Sequence, residues 1–382
     1  MSMRVPAEVF PPGEFIRDEI EARGWTQTDL AEVLGRPFRL VNEILSGKRA
    51  ITPETARGLG EAFGTGPELW MNLEAGYRLS LAEPVDPAVA RRSKLYSKAP
   101  IKDMVRRGWL VETEDVDDLE RQVLDFFEVK SIDDTPSLVA AARKSTTYAA
   151  TLPSQWAWLY RAKQLASSLD VKPFENAALL EALPKIRLLP GTLGGAAKVA
   201  TRLAALGIRL VVVEHLPKTK IDGAAFWLDS EGRSPVVALS LRFDRNDAFW
   251  FTLWHEIRHI LNGDGLSVDD ELVVDAGPAA KPAVDETERH ADAFASEFLI
   301  PAGMLDDFIR STRPRYSKAR INQFANAIHV HPGIILGQLQ RRGEVSYASN
   351  REMLVKVREE VTQNTPTDGW GEIALVGHGR SS

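Results

Sequence analysis

Along the first eighty residues, apolar positions recur at the three- and four-residue spacing of amphipathic helices, and glycines interrupt them. The spacing predicts a helix from Glu14 to Ala22, ended near Gly24. A second begins at Thr26 and stops at Gly35. A third begins near Pro37, carries Leu40, Val41, Ile44 and Leu45 inward, and stops at Gly47. A fourth runs from Thr52-Pro53-Glu54 to Gly64, and a fifth from Glu68 to Leu79. Thr26 with Asp29 three positions on forms a capping-box-like start. Residues 1–80 therefore read as a five-helix bundle, with the turn at Gly35 joining its second and third helices.

The pattern changes further along. Residues 81–190 keep helical spacing, with joints at Pro84, Pro100, Pro136, Pro153 and Pro190. Ile208 to Val213 is β-branched and strand-like, and Ala224 to Leu228 and Val236 to Leu241 predict two more strands separated by Asp229, Gly232 and Pro235. An apolar helix follows from Ala248 to Leu261, stopped by Gly263, and another from about Asp285 to Leu299, closed by Pro301. Strands followed by helices imply a small α+β domain over 191–305 within a mainly α chain. Residues 306–350 read as a helical segment. Residues 351–382 read as a tail, polar and glycine-rich from about Thr362 and expected to be partly mobile.

Composition narrows the chemistry. The 382 residues contain no cysteine, so disulfides, thiolate metal sites and a cysteine nucleophile are excluded. Any metal must be held by His and carboxylate. No basic, apolar leader opens the sequence and no run of about 18 uncharged apolar residues occurs, so a cytoplasmic protein without a membrane partner is expected. The net charge of −6 argues against a general polyanion binder but leaves room for a small DNA-reading module. Arg91 to Arg107 holds seven basic residues against one acid, Asp103. It reads as a solvated helix face, with contact to a DNA backbone or an acidic partner as the alternative.

The segment His255-Glu256-Ile257-Arg258-His259 is an H-E-x-x-H motif on a predicted core helix. Four-residue spacing puts both imidazoles on one face, where they can share one ion, and Glu256 beside them can accept a proton from water. Buried in an apolar helix, these polar groups need partners, and a metal supplies them. A catalytic zinc site needs a third protein ligand and one open position. Glu288 is favoured, with Asp292 one turn on to hold the second nitrogen of a ligating His. His290, on a different face, is the rival. One Zn2+ per chain is expected, and another divalent ion would also suit these ligands. Tyr316, His329 and His331 are the candidates for stabilising an oxyanion. Residues 251–259 together with 288–301 resemble the ImmA/IrrE metallopeptidase family. The resemblance implies a zincin-like domain, ligation by His255, His259 and Glu288, catalysis by Glu256, and limited proteolysis of a regulatory protein, often a repressor. Arg258 stands where the family usually has a small residue, and there it could narrow access to the metal or pair with an acid.

The helices of residues 25–47 match a helix-turn-helix pattern, in which the second helix enters the major groove. Gln27, Arg36, Phe38, Arg39 and Asn42 are the candidates for contacting bases, and Lys48 and Arg49 suit phosphates. Residues 1–79 hold nine Lys and Arg against twelve Asp and Glu, so a helical protein-interaction module is the alternative. Residues 10–79, including Trp25-Thr26-Gln27-Thr28-Asp29-Leu30-Ala31 and Val41-Asn42-Glu43-Ile44-Leu45-Ser46-Gly47-Lys48-Arg49, resemble HigA-type antitoxins of the XRE helix-turn-helix group. That resemblance implies a homodimer on double-stranded operator DNA, with a cognate toxin as a candidate partner. The two resemblances together imply a regulator that joins operator binding to peptide hydrolysis. The alternative is an antitoxin or repressor whose metal domain is a non-catalytic sensor or a toxin-binding platform.

Overall fold

The computed structural model describes residues 9–83, 85–134, 136, 152–264 and 281–374. The Pro84 joint and the end of the tail, 375–382, lie outside them. The chain divides into two compact units, Met1–Pro87 and Ala88–Ser382.

The first unit holds five helices, as the spacing predicts: α1 (Pro12–Ala22), α2 (Gln27–Val33), α3 (Phe38–Leu45), α4 (Pro53–Phe63) and α5 (Pro67–Leu81). The Thr26 capping box forms in both directions, fixing the start of α2. Pro37 caps α3 rather than entering it. The apolar stripes meet in one core that includes Ile16, Leu30, Val41, Leu59 and Trp70.

The second unit contains α6 (Pro87–Lys98), α7 (Ile101–Arg106), α8 (Val116–Phe127), α9 (Pro153–Ser167), α10 (Asn176–Ile186) and α11 (Gly195–Ala204). Strands β1 (Arg209–Val213), β2 (Gly223–Trp227) and β3 (Pro235–Leu239) follow, then α12 (Asn246–Asn262), α13 (Lys281–Leu299), α14 (Ala302–Thr312), α15 (Lys318–Ile328), α16 (Pro332–Arg341), α17 (Arg358–Thr362) and β4 (Thr367–Asp368). The sheet order is β2-β3-β1-β4, so β2 is an edge strand. β2 and β3 are antiparallel, and β1 is parallel to β3 and to β4.

The sheet is buried on both faces, and strand alternation sorts its side chains between two cores. Leu210, Val212, Ala225, Trp227, Val237 and Leu239 join the core built with α11 and α12. Val211, Val213, Ala224, Phe226, Val236 and Ala238 join the core built with α8 and α9. Described residues within the 81–190 stretch, among them Leu95, Met104, Leu119, Phe126, Trp158 and Leu165, thus share a core with the sheet.

Two further differences are informative. Four of the seven residues in the basic run are ion-paired within the unit: Arg91 with Asp117 and Glu120, Lys94 with Asp133, Arg106 with Asp103, and Arg107 with Glu214. The segment after Thr362, expected to be mobile, carries β4, where buried Asp368 accepts hydrogen bonds from Trp109 Nε1 at 2.9 Å and Arg161 Nη2 at 2.6 Å.

Candidate metal centre

α12 is apolar over most of its circumference and is packed between β2, α13 and α16. Its polar positions are therefore taken out of water. His255 is 9% exposed, Glu256 5% and His259 2%. One helical turn separates the two histidines, and their Nε2 atoms point at each other across 3.2 Å. α13 brings Glu288 to the same point, with Oε2 at 3.2 Å from His255 Nε2 and Oε1 at 3.6 Å from His259 Nε2. One donor atom from each of the three residues falls within a sphere where all lie within 4.8 Å of one another.

The outer nitrogens are held as well. Asp292 Oδ1 lies 2.9 Å from His255 Nδ1, and Asp264 Oδ2 lies 2.7 Å from His259 Nδ1. Each imidazole thus turns Nδ1 to a carboxylate and Nε2 toward the centre. Glu288 Oε1 is buried without a hydrogen-bond partner among the described residues. Two inward-facing imidazole nitrogens and an orphaned carboxylate oxygen make a donor set that fits one divalent ion. Burial opposes charge on His255, yet the adjoining carboxylates of Asp292 and Glu288 outweigh it and raise its pKa to about 10.

Asp264 was missed from sequence, although its placement follows from local rules. Gly263 caps α12 in the left-handed conformation, φ 69°. The chain then turns back, so the Asp264 N–H donates to the His259 carbonyl at 3.0 Å. Its own carbonyl accepts from Trp227 Nε1 at 2.8 Å, which ties it to β2. An acid directly after the glycine that ends an H-E-x-x-H helix was the available signal.

Glu256 faces β2. A Cβ on Gly223 would lie 2.7 Å from Glu256 Oε1, so only glycine lets the strand come this close. Burial pushes the Glu256 carboxyl above its usual range, against the pull of His255, His259 and a hydrogen bond from the Ala225 backbone N–H. In the β2–β3 ladder, Ser240 N–H donates to the Asp222 carbonyl and Leu228 N–H to the Ser234 carbonyl. The even-numbered residues of β2 therefore face β3, and the N–H and C=O groups of Gly223, Ala225 and Trp227 face the open side. An open cleft of about 240 Å³ meets this edge at Gly223 and is lined further by residues including Phe251, His255, Glu256, Asp292 and Arg341.

Several sequence candidates lie elsewhere. His290 is exposed on α13, away from the cluster. Arg258 does not line the cleft; its guanidinium lies over the Phe294 ring, 5.4 Å from the centroid. Tyr316 donates to Glu344 Oε2 at 2.6 Å, His329 caps α15, and His331 Nδ1 accepts from the Gly333 N–H at the start of α16. None of these three lines the cleft.

In the first unit, Arg36, Phe38, Arg39, Asn42, Lys48 and Arg49 are exposed around α3 and the turn after it. Gln27 Oε1 accepts from Asn42 Nδ2 at 3.3 Å, so α2 orients a side chain of α3. Glu43 engages both Arg39 at 2.8 Å and Arg49 at 3.3 Å.

Comparison with known proteins gives two matches along the chain. Residues 16–70 match the family model described as helix-turn-helix, and residues 205–349 the model described as IrrE N-terminal-like domain. The chain is similar to the uncharacterized HTH-type transcriptional regulator YddM of Escherichia coli (strain K12), 30% identical over 82 residues, covering 21% of this chain and 87% of that protein. It is also similar to virulence-associated protein A of Dichelobacter nodosus, 36% identical over 87 residues, covering 22% of this chain and 82% of that protein. Among solved structures, an addiction module antidote protein of a HigA family from Coxiella burnetii is 37% identical. It covers 20% of this chain and 83% of that one, with a TM-score of 0.19.

Proposed function

We propose that this chain, which belongs to the helix-turn-helix family through residues 16–70 and carries an IrrE N-terminal-like domain over residues 205–349, is a DNA-binding regulator with a zinc-dependent endopeptidase site. The observation that carries the enzymatic half is the pairing of a three-residue donor set with Glu256 in a cleft that Gly223 of the edge strand β2 also lines. His255, His259 and Glu288 would hold the ion, with Asp292 and Asp264 fixing the two imidazoles. Zinc bound there supplies Lewis acidity, polarising a peptide carbonyl and acidifying water. Glu256 accepts the proton from the attacking water and passes it to the leaving amine. Its burial and raised pKa suit a base that must both take and return a proton. An extended peptide can lie along the outer edge of β2 at Gly223, beside the donor set.

For the first unit, the exposed Arg36, Arg39 and Asn42 beside Gln27 support reading of a double-stranded operator. Lys48 and Arg49 support the phosphate grip. The sequence resemblance to HigA-type antitoxins supports a cytoplasmic homodimer, with a cognate toxin or a repressor as partner or substrate. Arg258, read from sequence as able to narrow access to the metal, lies over Phe294 and does not line the cleft.

Metal analysis of the purified chain beside three variants tests the enzymatic half. One zinc per chain is expected, lost in Glu288→Ala and His259→Ala. It is retained in Glu256→Gln, which should lose peptide hydrolysis by about 10²-fold or more. Zinc retained in both ligand variants would overturn the ligand set. Hydrolysis undiminished in Glu256→Gln would overturn the role of the base.

A further inference from the structure

Across α12 from β2, the cleft wall includes Arg341, the last residue of α16. Its guanidinium carbon lies 3.2 Å from the centroid of the Phe251 ring, and Phe251 stands one helical turn before His255. A guanidinium held over a ring face keeps N–H donors for a further partner.

The surrounding acids are already committed. Asp247 pairs with Arg245 at 2.5 Å, Asp222 takes Arg242 through two contacts of 2.7 and 2.9 Å, and Asp292 holds His255. Among the described residues, Arg341 has neither an ion pair nor a hydrogen bond, and its one contact of that kind is the Phe251 ring. A basic residue in the last turn of a helix can simply offset the helix dipole. That explanation covers a cation at the end of α16, yet gives no reason for it to lie over a ring in the wall of the metal cleft. The adjacent Arg342 points instead to Asp306, at 2.5 Å.

We infer that Arg341 is a specificity-determining residue, selecting substrates that present a carboxylate beside the bond to be cut. The inference rests on the peptidase reading above and deepens it. The carboxylate is either an Asp or Glu side chain or the free C-terminus of the peptide. A planar carboxylate can take two parallel N–H bonds from a guanidinium, which an amide of the same shape cannot match. The opposite wall of the cleft includes Gly223 of β2, so a peptide laid along that strand has side chains within the span between β2 and α16.

The test uses the full zinc-loaded chain and peptide hydroxamates, whose chelating group anchors them at the metal. The residue next to the chelator is Glu, Gln or Leu, and each peptide is made with a free and an amidated C-terminus. Calorimetric titration should give binding at least about tenfold tighter for the carboxylate-bearing compound than for its neutral counterpart. Glu against Gln reports the side-chain source, and free against amidated C-terminus reports the terminal one. In Arg341→Gln the preference should vanish, with zinc content and affinity for the neutral peptides unchanged. Arg341→Lys should keep a smaller preference, since it retains the charge without the fork. Equal binding of charged and neutral peptides, or a preference surviving in Arg341→Gln, overturns the inference alone. Failure of every hydroxamate to bind zinc-loaded protein would instead remove the open metal site, and the peptidase reading with it.

Discussion

The side chains around the donor set act through which nitrogen of each imidazole carries the proton. Both histidines bond a carboxylate through Nδ1, so both offer Nε2 inward without a prior choice of tautomer. Asp264 is the stronger case, because its backbone is fixed at both ends, by the His259 carbonyl and by Trp227. Replacing it with alanine should weaken zinc binding by roughly 10–100-fold, as is common for the partners of metal-ligating histidines. Competition against a chromophoric chelator measures this directly. An unchanged affinity would show that His259 is oriented by its packing alone. Helical spacing placed His255 with His259, and Glu288 with Asp292, on shared faces, while the choice of Glu288 over His290 drew also on the family resemblance. Asp264 and Gly223 were not legible, since their parts depend on a cap geometry and on the approach of a strand thirty residues upstream. Arg341 could not be found from spacing at all; only the packing of α16 on α12 brings it to the cleft.

Elements were legible in proportion to how local their causes are. α2 starts where Thr26 and Asp29 cap it, α12 ends at Gly263, and the three apolar strands lie within a residue or two of their expected bounds. β4 is the counterexample. It has two residues, no apolar run, and depends on pairing with β1 and on the Arg161–Asp368 bond across 207 positions of sequence. No periodicity in residues 362–374 could announce that. α3 carries a prediction of its own, because its exposed residues should divide between two tasks. Asn42 is pre-oriented by Gln27, whereas Lys48 lies beyond the helix on the turn. With an operator selected from random duplexes, Asn42→Ala should cost about 1–3 kcal/mol and relax preference at one base position. Lys48→Ala should weaken binding to all sequences alike and reduce the slope of log affinity against log salt by about one. Anisotropy titrations at several salt concentrations separate the two. A Lys48→Ala variant with altered base preference, or an Asn42→Ala variant changing only the salt slope, would reverse these assignments.

At the scale of the whole chain, each unit closes its own hydrophobic core, that of residues 16–73 drawing on no residue beyond the fifth helix. The donor set belongs wholly to the second unit, on two helices whose facing sides are joined by packing and by the His255–Asp292 hydrogen bond, and which an ion would bridge further. An ion that binds the folded unit and not the unfolded chain stabilises it by roughly 4 kcal/mol when free zinc is about a thousand times its Kd. Calorimetric heating should therefore resolve two transitions, and a chelator should lower one by several degrees while leaving the other in place. Adding a selected operator duplex should do the converse, raising only the transition that zinc does not touch. If the chelator shifted both transitions together, or operator DNA raised the zinc-dependent one, the two sites would be energetically coupled. Reciprocity would then require that zinc alter operator affinity by the same factor that operator alters zinc affinity. Independent transitions would instead confine any signal from the cleft to changes in the covalent chain, for which cleavage is the available chemistry.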